Sequence, residues 1–557
     1  MFKGAQHFMI TGGNFEVVNQ AGEGFGFQLL HQKAIHGATH DSAERYPPPK
    51  CHPGTRKTVT KEIISWVEDR SRASGAVWLH GPAGAGKTAI AQDICEYCLN
   101  EGYLAGSFFF SRTTPGRNTV INLFTTIAYQ IAMTVPGARK ILDKTITNDP
   151  AVVDKAFQIQ LSKLIVDPLR KLCRPGQRAI IVIDGLDECE GENLQCHILR
   201  ILGLALDGGI TLPSFIISSR PESWIRDEFN REGPLFRHSH RISLEQSDET
   251  DDDIRSFFKA SFASIHQSST YRYTMSDVPK PWPSDDVLDK LVDRASGQFI
   301  YPATVIKFVS DPDCRPTERL QLILDIPTKK MVPQSNPLAD LDELYKQILS
   351  TCRDVQLTLR VLGAVLVLRD PSTAAYRLQY VPAEYSLTIT ERLLGLQRGD
   401  GYLSLRFIHS LVKVADLPHD VNQHIEEPVV FYHRSFVDFL LDKDRSHQYF
   451  INLKTIHCIL ALACLAILRG VKSETGTWIR YLLWGYSNFY WMKHMISSGQ
   501  PNTECLDALR DFNFHEHFLH AMPTFGLTTF DLDGYTGAFQ GLRSPSQASE
   551  GILQKLQ

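Results

Sequence analysis

The residues best equipped for chemistry fall in three short stretches. The first is Gly81-Pro82-Ala83-Gly84-Ala85-Gly86-Lys87-Thr88, which has the spacing G-x-x-x-x-G-K-[ST]. Glycines at these positions let backbone N–H groups converge on phosphate oxygens. The lysine reaches the β and γ phosphates, and the hydroxyl faces Mg²⁺. All eight residues are therefore candidate nucleotide contacts, and Thr88 is also a candidate metal ligand. The second stretch is the apolar run Ala179-Ile180-Ile181-Val182-Ile183, ending in Asp184-Gly185-Leu186-Asp187-Glu188. An acid at the tip of such a run holds hydrated Mg²⁺ beside a phosphate loop, which makes Asp184 the second metal candidate. Asp187 or Glu188 then orients or deprotonates an attacking water. The third stretch, Ser214-Phe215-Ile216-Ile217-Ser218-Ser219-Arg220, turns from apolar to polar and offers Arg220 to a γ phosphate. A surface cation is the plainer reading of that arginine.

These groups meet only if a particular set of elements carries them. The run Ala76-Val77-Trp78-Leu79 reads as a strand entering the first loop, and Thr88 to Leu99 as a helix leaving it. That helix would aim its N-terminus at the anion. Further strands are expected at Ala105–Phe110, Ala179–Ile183, Ser214–Ser218 and Arg241–Leu244. Helices are expected between them, for example Val120–Met133 and Phe157–Leu172. Alternation of this kind predicts an α/β fold with a doubly wound parallel sheet. Ligands of such sheets sit at the carboxyl ends of the strands, where the three stretches would converge.

Taken together, Gly81 to Thr88, Asp184-Gly185-Leu186-Asp187-Glu188 and the Ser218-Ser219-Arg220 strand end resemble the NACHT family of signal-transducing NTPases, within the STAND class of P-loop proteins. Cys51-His52-Pro53-Gly54-Thr55-Arg56, followed by Trp66, resembles the nephrocystin-3-like N-terminal domain found in many fungal NACHT proteins. The resemblance implies a nucleotide domain over 51–245, a helical lid over 246–330 containing Gly297-Gln298-Phe299-Ile300-Tyr301, and a winged-helix-like domain over 331–445. A helical domain over 446–540 and a polar tail over 541–557 follow. It implies that Thr55 or Arg56 touches the nucleotide. It also implies that His433, in His433-Arg434-Ser435-Phe436-Val437-Asp438-Phe439-Leu440, touches the β phosphate of ADP and locks a resting state. A His that caps or packs a helix start is the alternative. ATP is favoured over GTP because no Asn-Lys-x-Asp segment is present. The implied function is an ADP-locked, ATP-driven switch that self-oligomerises on activation and signals to a protein effector. Its setting would be fungal-type innate immunity, non-self recognition or regulated cell death. Two other readings stay open: a turnover ATPase such as a chaperone or remodeller, and a nucleotide-binding scaffold without useful hydrolysis.

Composition narrows the field. The chain has 557 residues, of which 43% are hydrophobic and 22% charged, with a formal net charge of −4. These values suit a multi-domain globular protein, and the charge gives no global attraction to nucleic acid. The candidate recognition helix of the winged-helix region, Leu403–Leu411, carries only Arg406 and His409 as basic or titratable groups, a poor phosphate footprint. No nucleic-acid partner is therefore expected. Eleven cysteines are an odd and sparse set, against a disulfide framework. Cys95 and Cys98 read as helix packing. No secretory signal or membrane span is visible, so a cytoplasmic protein is expected. No repeat of 20–50 residues is visible, although relatives commonly end in sensor repeats. Residues 1–50 read as a separate segment: a small hairpin around Gly12-Gly13-Asn14 or a poorly ordered tail, then the stiff linker Tyr46-Pro47-Pro48-Pro49.

Overall fold

The computed structural model describes residues 24–508, apart from 70, 72–73, 113, 175–176, 208–212, 231–233, 245–247, 327–337, 370–386, 415–428, 471–477 and 500–506. The hairpin around Gly12 and the tail over 541–557 lie outside the described residues.

Five strands form one parallel sheet: β1 (Ala76–His80), β2 (Leu104–Phe109), β3 (Ile180–Asp184), β4 (Ser214–Ser219) and β5 (Ser239–Ser243). Their order is β2-β3-β4-β1-β5, and every pairing is parallel. The strands are apolar on both sides because both faces of the sheet are covered. Alternate residues then serve different cores. Trp78, Ile181, Ile183, Phe215 and Ile217 pack on one face, and Val77, Leu79, Ile180, Val182 and Ile216 on the other. Trp78 stacks on Phe229, with ring centroids 4.3 Å apart, and donates its indole N–H to Ser219 Oγ at 2.9 Å. A polar atom is thus satisfied at the end of β4, inside an apolar layer.

The chain leaves β1 through Gly81–Gly86 into helix Lys87–Asn100, then crosses to β2 at the far edge. Cys95 and Cys98 are buried on that helix and free of disulfides. The expected helix over Phe157–Leu172 is present, with a π-helical stretch at Leu161–Val166 in its middle.

Residues 24–50 do not stand apart from this domain. Helix Phe25–Lys33 packs on helices Leu123–Thr134 and Ala138–Asn148. Its first turn is held by Asp143, which accepts from the Gly24 and Phe27 amides at 3.2 and 2.9 Å. Further on, the Arg45 guanidinium lies 3.5 Å over the Phe109 ring and donates to Gln92 at 2.9 Å. The segment lacks a core of its own, so it borrows the sheet domain's.

The lid region is helical but interrupted at its Gly297-Gln298-Phe299 stretch, which lies between helices Asp285–Ala295 and Ile300–Val309. They are separated where Ser296 and Gly297 adopt φ of 47° and 73°, the left-handed conformation that ends helices. Beyond the lid, helices Ala339–Ser350, Val355–Leu368, Leu387–Leu393 and Asp400–Arg406 lead to an antiparallel pair, β6 (Val412–Lys413) and β7 (Val430–Phe431). Helix Arg434–Leu441 follows. A single apolar core runs from Ile254 in the lid through Leu362, Phe436 and Leu460 to Met495. Among the described residues no single helix is long and apolar enough to cross a membrane.

Candidate nucleotide site and the helix docked on it

The loop after β1 has the backbone that an anion requires. Gly84 and Gly86 take φ of 76° and 93°, a region costly for any residue with a Cβ. Gly86 caps helix Lys87–Asn100 without a side-chain hydrogen bond, so the first amides of that helix have no side chain to satisfy them. Space is equally tight, because a Cβ on Gly84 would meet Ile300 Cγ2 at 2.2 Å. The Ile300 amide donates to the Gly84 carbonyl at 3.2 Å, so the lid is seated directly on the loop. Lys87 Nζ donates to the carbonyls of Gly81 and Pro82, each at 2.8 Å. Burial lowers the Lys87 pKa to about 8 against the pull of Asp187.

Parallel register brings the acids to this loop. Ile183 pairs with Ile217 and Leu79 with Ser218, so the tips of β3, β4 and β1 lie side by side. Asp184, only 3% exposed, accepts from Ser218 Oγ and from the Thr88 hydroxyl. Burial raises its pKa, and those two hydrogen bonds oppose the rise. A carboxylate and a hydroxyl already in contact, beside a phosphate loop, are a donor set that fits hydrated Mg²⁺. Glu188 is pushed up to about 7 by burial and then by Asp187. A carboxyl poised there suits proton transfer near neutral pH.

Asp187 is 5% exposed and carries charge from two directions. The Arg220 amide donates to its Oδ1 at 3.0 Å, and Arg220 Nε lies 3.3 Å from its Oδ2. Arg434 Nη1 lies 3.6 Å from the same Oδ2. Arg220 also reaches Asp438, at 3.1 Å, and Arg434 pairs with Asp438 at 3.3 Å. Arg112 donates its amide to Glu188 at 3.2 Å and a guanidinium N–H to the Asp187 carbonyl at 3.1 Å.

The sequence-expected His433 is at the start of helix Arg434–Leu441. Its Nδ1 accepts from the Ser435 amide at 3.1 Å and lies 2.6 Å from Ser435 Oγ, which in turn is 2.7 Å from the Tyr345 hydroxyl. Burial, then the cations Arg220 and Lys87, push its pKa down to about 3. The ring is therefore neutral. The capping reading is what the hydrogen bonds show: His433 caps the helix through the Ser435 amide.

Arg56 bridges the loop and the lid. Its guanidinium donates to the Ala85 carbonyl at 2.8 Å and to Thr250 Oγ1 at 3.0 Å, and lies 4.9 Å over Phe299. Its amide donates to Asp253 at 2.7 Å. The residue ties the loop to the lid. Thr55 is buried next to it and donates to the His52 carbonyl.

Sequence reasoning passes over Arg434, Asp438 and Arg112. The first two stand at i and i+4 in the phrase that contains His433, a spacing that pairs them on a helix. That is the one signal the sequence offers. What they face across the cleft is not readable from it.

The strand order, the loop after β1 and the acid at the tip of β3 define a P-loop nucleotide-binding fold. A family profile described as Nephrocystin 3, N-terminal, matches residues 54–220. No curated protein matches the chain. Similar solved structures include the Drosophila ORC bound to DNA, 11% identical, with a TM-score of 0.32 over 72% of this chain and 96% of that one. Cdc6p from Pyrobaculum aerophilum is 12% identical, with a TM-score of 0.25 over 74% and 95%. The ORC1 protein of Aeropyrum pernix in complex with DNA is 13% identical, with a TM-score of 0.28 over 71% and 92%. One expectation is corrected here. Two of these three proteins are described as bound to DNA, so the exclusion of nucleic acid as a partner does not stand. Net charge and one helix's basic residues are too coarse a basis for it, because a contact surface is local.

Proposed function

We propose that this chain is a nucleotide-dependent switch of the NACHT and STAND kind. One observation carries the reading: helix Arg434–Leu441 of the C-terminal region reaches the tips of β3 and β4 by ion pairs and a hydrogen bond. An enzyme built only for turnover has no need of a distant helix closing its phosphate end. In this reading the backbone of Gly81–Gly86, Lys87 and Thr88 hold the phosphates. Thr88 and Asp184 hold Mg²⁺, which supplies charge neutralisation at the phosphates. His433 meets the β phosphate of ADP. Glu188, with its pKa near 7, takes a proton from water, Asp187 orients the strand-tip cations, and Arg220 meets a γ phosphate. Arg56 supports the loop from the lid side.

ATP is the expected triphosphate, with GTP as the alternative. Each conformational state is held by contacts of its own. ADP and the docked helix stabilise a closed form, and ATP an open form that self-associates and engages a protein effector. By its resemblance, such a switch would act in fungal-type innate immunity, non-self recognition or regulated cell death.

The test is the nucleotide that accompanies the purified protein. Stoichiometric ADP in the wild type, lost in Lys87→Ala and reduced in His433→Ala, is the expected result. A wild type that arrives empty and turns ATP over rapidly would overturn the switch.

A further inference from the structure

Asp187, Arg220, Asp438 and Arg434 alternate in sign around a closed ring. Successive contacts measure 3.3, 3.1, 3.3 and 3.6 Å. The four side chains are 5% to 27% exposed, so solvent and salt screen them far less than a surface pair. Two members come from the strand tips and two from helix Arg434–Leu441. The ring lies against the phosphate end, since Asp187 and Arg220 are the charges that act most strongly on Lys87. Within it Arg220 is engaged on both sides. Its amide and Nε face Asp187, and its Nη2 donates to Asp438 at 3.1 Å.

A phosphate at the far end of a triphosphate chain, beside Lys87 and Glu188, needs donors, and Arg220 is the strand-tip cation there. Asp438 already holds that guanidinium. It also places a negative charge where further negative charge would arrive. A diphosphate stops one phosphate short and leaves the ring closed. We infer that Asp438 discriminates nucleoside diphosphate from nucleoside triphosphate at this site, because its carboxylate holds Arg220 as a terminal phosphate would. Binding of the triphosphate then breaks the Arg220–Asp438 pair, a charge contact across the cleft. The inference rests on the nucleotide reading of the Gly81–Thr88 loop.

The experiment measures calorimetric binding of ADP and of a non-hydrolysable ATP analogue, both with Mg²⁺, to the full chain. Wild type is compared with Asp438→Asn, Arg434→Gln and Lys87→Ala, each first checked by its melting profile. The wild type is expected to favour the diphosphate. Asp438→Asn should shift the ratio of the two affinities by roughly tenfold or more towards the triphosphate, with the diphosphate affinity within about twofold of wild type. Arg434→Gln weakens the docking but leaves Asp438 on Arg220, so the ratio should shift less than in Asp438→Asn. A ratio unchanged in Asp438→Asn would overturn the inference while leaving the nucleotide site intact. So would a ratio shifted equally by Arg434→Gln. Failure of the wild type to bind either nucleotide, or binding undiminished in Lys87→Ala, would overturn the nucleotide reading itself and the inference with it.

Discussion

The phosphate end of the cleft is built by two regions in two different ways. The strand tips bring Lys87, Thr88, Asp184, Asp187 and Arg220 together through a buried parallel sheet, whose register fixes each position to its neighbour. Helix Arg434–Leu441 arrives from 218 to 247 residues away in the chain. It holds on to the strand tips by ion pairs, with His433 at its start. Strand tips are costly to move, because the apolar layers on both faces would open. A charged contact a few ångströms long is far cheaper to break, and a competing charge is enough to do so. The first region is suited to chemistry that needs fixed geometry, and the second to release.

That contrast can be broken at either side. The largest effect is expected from Glu188→Gln, which removes a group from the fixed side. Its hydrolysis should fall by about 10²- to 10⁴-fold while nucleotide retention persists. In the wild type, hydrolysis should rise with pH through about 7, since the base must lose its proton and its pKa is raised to that value. Single-turnover assays from pH 5.5 to 8.5 would show it, and a flat profile would remove Glu188 from the role.

A smaller effect is expected from acid on the releasable side. Docked His433 is held at about 3 against an ordinary 6.5. A histidine freed by undocking takes up a proton below about pH 6.5, and the docked one does not. Docking is therefore fully stable above 6.5 and weakens as pH falls from there towards 3, by up to about tenfold per pH unit. Hydrogen exchange of Arg434–Leu441 at pH 7.5 and 5.5, corrected for intrinsic rates, should reveal it. Equal protection at both values would count against the docked geometry.

The smallest effect is expected from Tyr345→Phe, which removes the hydroxyl 2.7 Å from Ser435 Oγ. The loss should be about 1 kcal/mol of stability, read in denaturant melts. A substitution that also lowers nucleotide retention would mean that the Ser435–His433 contact depends on Tyr345 more than its distance suggests.

Much of the fixed side is legible in the sequence. Four of the five strands lie within a residue of where their apolar runs put them, because continuous apolar runs ending in Gly, Asp or Arg are what a strand buried on both faces must look like. The fifth, β5, begins two residues earlier than the run Arg241–Leu244 suggests. It is an edge strand, and its polar residues Ser239 and His240 give no apolar signal. The lid is interrupted for a local reason: Ser296 and Gly297 take the left-handed conformation and end one helix before the next begins. Residues 24–50 look independent because amphipathic signals are weak in so short a helix, yet Asp143 and the sheet domain give it a seat.

The sequence by itself determined the phosphate loop, the acid at the end of β3 and the parallel sheet that joins them. Each depends on residue types within a few positions of one another, where backbone geometry leaves little choice. Only the tertiary structure decided what Arg434, Asp438 and Arg56 face. Their partners lie across a cleft or on the loop and the lid, and no local spacing records the approach of two surfaces that are far apart in the chain.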